Sequence, residues 1–175
     1  PLPWKQRDLC QRGHAIECRI YAEDPANGFL PQAGKLLVYR RPEGPGVRVD
    51  DGVCEGSEVP VAYDPLLAKL IVQAETRGAA IERAIAAVRR YAVLGIRTNI
   101  PFLLRVLRHP AFAAGDVHTA FIDEHLASLT AAVNPPPEVV AAAASVRTGP
   151  TPATISPGAP AATADPWDTL QGWGR

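Results

Sequence analysis

The chain has 175 residues, and its 18 lysine and arginine side chains equal its 18 aspartates and glutamates, for a formal net charge of zero. That balance argues against the broad cationic footprint of a nucleic-acid-binding domain and against an electrostatic membrane anchor. No apolar run approaches the ~20 residues of a membrane-spanning helix, and the length suits one domain with its own core plus a tail.

The first residues, Pro1-Leu2-Pro3-Trp4-Lys5-Gln6-Arg7, lack the charged-then-apolar layout of a signal peptide, and the chain contains no methionine. We therefore expect it to begin inside a longer polypeptide. Cys10, Cys18 and Cys54 form no CxxC pair, and with four scattered histidines they show no metal-ligand spacing. Reduced thiols are expected. They point to a cytoplasmic protein, or to the mitochondrial matrix if the source is eukaryotic.

Residues 13 to about 75 read as β-rich. In Gly13-His14-Ala15-Ile16-Glu17-Cys18-Arg19-Ile20-Tyr21, the side chains Ile16, Cys18 and Ile20 share one face of a strand. Glu17, Arg19 and Tyr21 share the other. Cys18 therefore reads as a buried structural thiol. Arg19 has two readings. An arginine on a rigid strand is a permanently charged fork of donors, suited to an anion or to an oxygen that becomes negative during reaction. Alternatively, Glu17 and Arg19 are cross-strand ion-pair partners on a solvated face.

Asn27 to Pro31 reads as a loop, Lys35–Arg40 as a strand, Pro42 to Gly46 as a turn leading to a strand at Val47–Asp50, and Gly56–Val61 as a short strand. Tyr63-Asp64-Pro65 is a turn in which Asp64 acts as hydrogen-bond acceptor. Leu66–Ala74 is a buried strand whose first residues also suit a helix. The period then changes. Thr76 caps a helix from Arg77 to Leu94, buried through Ile81, Ala84, Ile85, Val88, Tyr91 and Ala92 and closed by Gly95. Thr98 caps a second helix with Pro101 in its first turn and Phe102, Leu103, Val106 and Leu107 inward. His109-Pro110 ends it, and a third helix spans Thr119–Leu129. Residues 130–164, rich in Pro, Ala and Thr, read as a flexible linker, and 165–175 as the start of a further, truncated domain.

The order of these motifs resembles the C-terminal domain of biotin carboxylase, over about residues 1–129. The resemblance rests on Gly13 to Ile20 with Ala22-Glu23-Asp24-Pro25, Phe29-Leu30-Pro31 with Gly34-Lys35, and Gly46-Val47-Arg48. Tyr63-Asp64-Pro65 with Lys69-Leu70-Ile71, Gly95-Ile96 with Thr98-Asn99, Phe102-Leu103-Leu104, and Thr119-Ala120-Phe121-Ile122 continue it. The wording around His109 to Phe112 and Thr119 to Ile122 is most like the biotin-containing α-subunits of acyl-CoA carboxylases, which act on methylcrotonyl-, propionyl- or acetyl-CoA.

The resemblance implies an α+β domain, an antiparallel sheet or partial barrel followed by packed helices. It implies part of a ligase that uses ATP-Mg to activate bicarbonate and carboxylates biotin. The ATP-grasp domain that binds nucleotide and metal would lie upstream, so this segment alone should be inactive. Arg19, in Glu17-Cys18-Arg19, maps onto the arginine that stabilises the biotin enolate, with Glu17 as its orienting neighbour. Pro45 and Arg48 map onto a homodimer contact, and Pro45 replaces a common aromatic there. Ala120 and Phe121 fall near the adenine pocket, where packing is the expected job of Phe121. Without methionine the chain has no biotinyl-lysine site, and Pro42 to Gly46 lacks the Lys and Ser/Thr of a P-loop. The implied partners are the upstream ATP-grasp domain, a carboxyltransferase subunit, a biotin carrier domain and a second copy of the chain. Two other readings stay open. One is a noncatalytic dimerisation or scaffold module; the other is the equivalent domain of pyruvate or urea carboxylase.

Overall fold

The computed structural model describes residues 1–60, 62–131 and 135–145. The chain divides into two units, Pro1–Ala132 and Val133–Arg175. After a 3-10 turn at Gln6–Asp8, the first unit runs through β1 (His14–Tyr21), β2 (Glu23–Asp24), a 3-10 turn at Pro25–Asn27, β3 (Leu30–Pro31), β4 (Gly34–Lys35) and β5 (Val38–Arg40). There follow β6 (Val47–Asp51), β7 (Glu58–Val59), β8 (Leu66–Ala74), α1 (Arg77–Arg90), β9 (Ala92–Leu94), α2 (Ile100–Arg108), α3 (Pro110–Ala114) and α4 (Phe121–Leu129).

The expected α+β architecture is present, and every strand pairing is antiparallel. The main sheet has the order β1-β8-β6, so the apolar run Leu66–Ala74 is its centre and is strand throughout. Three two-strand ribbons, β2-β3, β4-β7 and β5-β9, accompany it. The register aligns Ile16, Val72 and Val47 in one cross-strand row and Cys18, Leu70 and Val49 in another. These rows form the inner face. Ile20, Leu70 and Val72 are almost wholly buried, each stabilising the fold by about 1.5–3 kcal/mol relative to an exposed side chain.

Helix α1 covers this face. The Thr76 hydroxyl accepts from the Ala79 amide at 3.2 Å, the expected N-cap. Ala80, Ile81, Ala84, Ile85, Ala87 and Val88 turn inward. The helix ends at Arg90 rather than Leu94. Tyr91 leaves the helical path to bring its hydroxyl 2.5 Å from that of Tyr39, and residues 92–94 then pair with residues 38–40. The Tyr39 hydroxyl also reaches Asp51 at 3.1 Å. Burial raises the pKa of both tyrosines, so the pair stays neutral.

The opening strand ends at Tyr21 as expected, but the segment 35–40 splits at Leu36, which is fully buried while its neighbours pair with different strands. The Asp64 carboxylate accepts from the Leu66 amide at 3.0 Å, the expected turn. Thr98 does not cap α2; the N-cap is Asn99. The short α3 follows His109-Pro110, where the sequence pattern predicts only a stop. Phe121 packs with Phe102 and Leu129 in a small second core.

In the second unit, Pro137–Ser145 forms α5, with no buried residue. The alanine run has high intrinsic helix propensity. The Thr148–Ala164 segment and residues 165–175 lie outside the described residues.

Candidate active-site face

The outer face of the main sheet is polar. Its cross-strand rows are Arg19–Lys69–Asp50 and Glu17–Ile71–Arg48. Strand alternation sends Cys18 inward and Arg19 outward from adjacent positions. The Cys18 thiol is 4% exposed, and burial, with a smaller contribution from Glu17, pushes its pKa up to about 11. It is a protonated core thiol. All three cysteines are free.

Arg19 projects from the face with its side chain 61% exposed, and its Nε donates to Glu17 Oε1 at 3.0 Å. Hydrogen bonding to Glu17, with a further contribution from Tyr21, holds its pKa above the ordinary arginine value. The pair lies along one strand, so the cross-strand version of the ion-pair reading is corrected. The residue directly opposite Arg19 is Lys69. Like charges placed opposite one another repel, and here each cation turns to its own carboxylate. Lys69 Nζ lies 3.7 Å from Asp50 Oδ2, which also accepts from Arg48. Glu17 accepts from the Nε edge of Arg19, and the terminal guanidinium nitrogens carry further donors suited to an anion or a developing oxyanion.

Arg48 grips Asp50 through two bonds of 2.8 and 2.9 Å. That holds the Asp50 carboxyl below its ordinary pKa, with Lys69 adding to the effect. Pro45 is exposed in the turn leading to β6. Gly46 in that turn has φ 69°, and an added Cβ would overlap the Gln73 carbonyl oxygen and the Arg83 guanidinium. Among the described residues there is no group of three or more His, Cys, Asp or Glu that could hold a metal ion, and no helix is long and apolar enough to cross a membrane.

Asn99 and Lys69 stood in the motifs Thr98-Asn99 and Lys69-Leu70-Ile71, but the sequence assigned neither a role. Asn99 is 6% exposed and, like Asp24, a buried polar residue. Its Oδ1 accepts from the Tyr21 amide at 3.0 Å, and its Nδ2 donates to the Arg19 carbonyl at 3.0 Å. The sequence pattern placed the cap on Thr98, and a partner for Asn99 80 positions away was not legible.

Residues 17–124 match the family model for the biotin carboxylase C-terminal domain, and the chain belongs to that family. It is 49% identical over 125 residues to a biotin carboxylase of Halalkalibacterium halodurans, covering 71% of this chain and 27% of that protein. It is 45% identical over 125 residues to the alpha chain of mitochondrial methylcrotonoyl-CoA carboxylase of Mus musculus, covering 71% of this chain and 17% of that one. The chain thus spans about a quarter or less of these relatives. The structure is similar to the crystal structure of the biotin carboxylase subunit of pyruvate carboxylase, with TM-score 0.73 and 39% identity over 77% of this chain and 30% of that one. It is also similar to a biotin carboxylase domain dimer of Hydrogenobacter thermophilus 2-oxoglutarate carboxylase, in complex with MgADP, ADP and bicarbonate. There the TM-score is 0.72 and the identity 37%, over 75% of this chain and 29% of that one.

Proposed function

We propose that the chain is the C-terminal part of an ATP-dependent biotin carboxylase in an acyl-CoA carboxylase α-subunit, and that Arg19 holds the ureido oxygen of biotin during carboxylation. The observation that carries this is the outward Arg19 guanidinium, 61% exposed and held on its Nε side by Glu17 at 3.0 Å. When bound, biotin supplies the ureido nitrogen that takes up the carboxyl group. As that nitrogen loses its proton, the ureido oxygen gains negative charge. A preorganised guanidinium stabilises it, an effect worth roughly a hundredfold or more in rate by comparison with other oxyanion donors. Glu17 orients the fork, and lysine at position 19 would supply charge without that geometry.

ATP-Mg and bicarbonate would be held by an upstream ATP-grasp domain. The Hydrogenobacter thermophilus domain, which is more than three times as long as the matched segment, carries MgADP and bicarbonate and supports this. A carboxyltransferase subunit, a biotin carrier domain and a cytoplasmic location complete the reading. Pro45 and Arg48 would contribute to a homodimer contact, and the similarity to the same domain dimer supports that too. A pyruvate carboxylase subunit of Methanothermobacter thermautotrophicus is also 48% identical over 124 residues. A pyruvate acceptor is therefore the second reading, and acceptor assays on the full polypeptide separate the two.

The test uses the full-length polypeptide containing this chain, assayed for carboxylation of free biotin. Arg19→Ala should lower turnover about a hundredfold or more, with Arg19→Lys recovering little of it. Parental biotin carboxylation in Arg19→Ala would refute the role. For the dimer contact, Arg48→Glu should weaken self-association in sedimentation by about tenfold or more, as loss of a central charged contact does. An unchanged profile would remove Arg48 from the interface.

A further inference from the structure

Strand β1 lies at one edge of the main sheet, with β8 on one side. Peptide groups of alternate residues point to opposite edges of a strand. The Arg19 carbonyl and the Tyr21 amide and carbonyl therefore face the edge away from β8. Its register with β8 also shifts between Ile20 and Tyr21. The strand's regular support thus ends just where Arg19 must be presented accurately.

One residue supplies the missing neighbour. Asn99 Nδ2 donates to the Arg19 carbonyl at 3.0 Å, Asn99 Oδ1 accepts from the Tyr21 amide at 3.0 Å, and the Asn99 amide donates to the Tyr21 carbonyl at 3.1 Å. The side-chain amide copies the donor and acceptor of a backbone peptide, so these three bonds reproduce the rungs of an adjacent strand. The arrangement has a local cost. Asn99 is the N-cap of α2, yet its side chain makes no hydrogen bond to that helix. A residue type favoured for capping has been turned away from its own helix to serve β1. Its approach is fixed by the segment before it. Gly95 has φ 111°, and a Cβ there would overlap the Lys35 carbonyl oxygen. Arg97 donates to the buried Asp24 carboxylate at 2.5 Å.

We propose that Asn99 is a positioning residue for Arg19: its carboxamide stands in for an adjacent strand at residues 19–21 and fixes the direction in which the guanidinium meets biotin. This rests on the role of Arg19 given above. A misplacement of about 1 Å at a reacting group costs up to about a hundredfold in rate. A purely structural asparagine would instead affect every activity of the enzyme alike.

The experiment compares Asn99→Ala, Arg19→Ala and the double variant in the full-length polypeptide. Two rates are measured, carboxylation of free biotin and bicarbonate-dependent ATP cleavage without biotin. Asn99→Ala should lower biotin carboxylation about ten- to a hundredfold and leave biotin-independent ATP cleavage within about twofold. In the Arg19→Ala background it should add little, because it acts through that residue. Equal losses in both activities, or a full further loss in the double variant, would overturn the proposal. Should Asn99→Ala not fold, Asn99→Asp keeps the volume and the acceptor for Tyr21 while removing the donor to Arg19, and the same selective loss is expected. An impaired Arg19→Ala beside a fully active Asn99→Ala overturns this proposal alone; a fully active Arg19→Ala overturns the role of Arg19 and this proposal with it.

Discussion

The two faces of the β1-β8-β6 sheet share a backbone and differ in nearly everything else. On the inner face, Ile16, Cys18, Ile20, Leu70 and Val72 are at most 9% exposed and pack beneath α1. On the outer face, Glu17, Arg19, Lys69, Arg48 and Asp50 mix both signs of charge and remain accessible. Burial of apolar area does most of the stabilising on the first. Exposed ion pairs contribute little stability, and on the second face they orient side chains instead. The lesson is a division of labour within single strands: one residue apart, Cys18 anchors and Arg19 is displayed.

The largest effect expected on stability comes from the inner face. Leu70→Ala removes a fully buried side chain from the central strand and should cost about 2–5 kcal/mol, read as a lower denaturant midpoint. In whatever fraction stays folded, the ratio of biotin carboxylation to ATP cleavage should match the parent. A selective fall in biotin carboxylation would break the division between the faces.

A smaller and pH-dependent effect belongs to Asp24, the buried carboxylate that crosses this pattern. A hydrogen bond from Asn27 and then the Arg97 guanidinium hold its pKa below the ordinary value. Its folded form therefore binds a proton less readily than the unfolded chain, whose aspartates titrate near pH ~3.9. The stability it contributes is present above that pH and disappears as pH falls through the lower folded value. The difference in denaturant midpoint between the parent and Asp24→Asn should be present at neutral pH and shrink below about pH 4. A difference that persists unchanged into acid would assign it to packing instead.

The smallest effect is chemical. Cys18, with its pKa near 11, should resist thiol-alkylating reagents at neutral pH in the folded protein, whereas the exposed Cys10 and Cys54 react. Fast labelling of Cys18 would show that the inner face opens.

Much of this contrast was legible in the sequence. Period-two alternation in Gly13–Tyr21 assigned Cys18 inward and Arg19 outward, and the change of period after Thr76 located α1 and its cap. What was illegible depends on partners distant along the chain. Tyr91 and Ala92 fit the helical spacing of Ile81 and Val88, yet Tyr39 and strand β5 capture them. Lys69 lay within a strand read only as buried, and the register sets it on the outer face opposite Arg19. The cap was read at Thr98, whereas Asn99 takes the N-cap position and gives its side chain to Arg19 and Tyr21.

Presentation of Arg19 to biotin by the outer face is checked by a crystal structure of the full-length polypeptide with biotin and bound nucleotide. A terminal guanidinium nitrogen of Arg19 should lie within about 2.7–3.2 Å of the ureido oxygen, with Glu17 retained on Nε. A ureido oxygen held by other groups, with Arg19 pointing to solvent and paired to Glu17 alone, would contradict it.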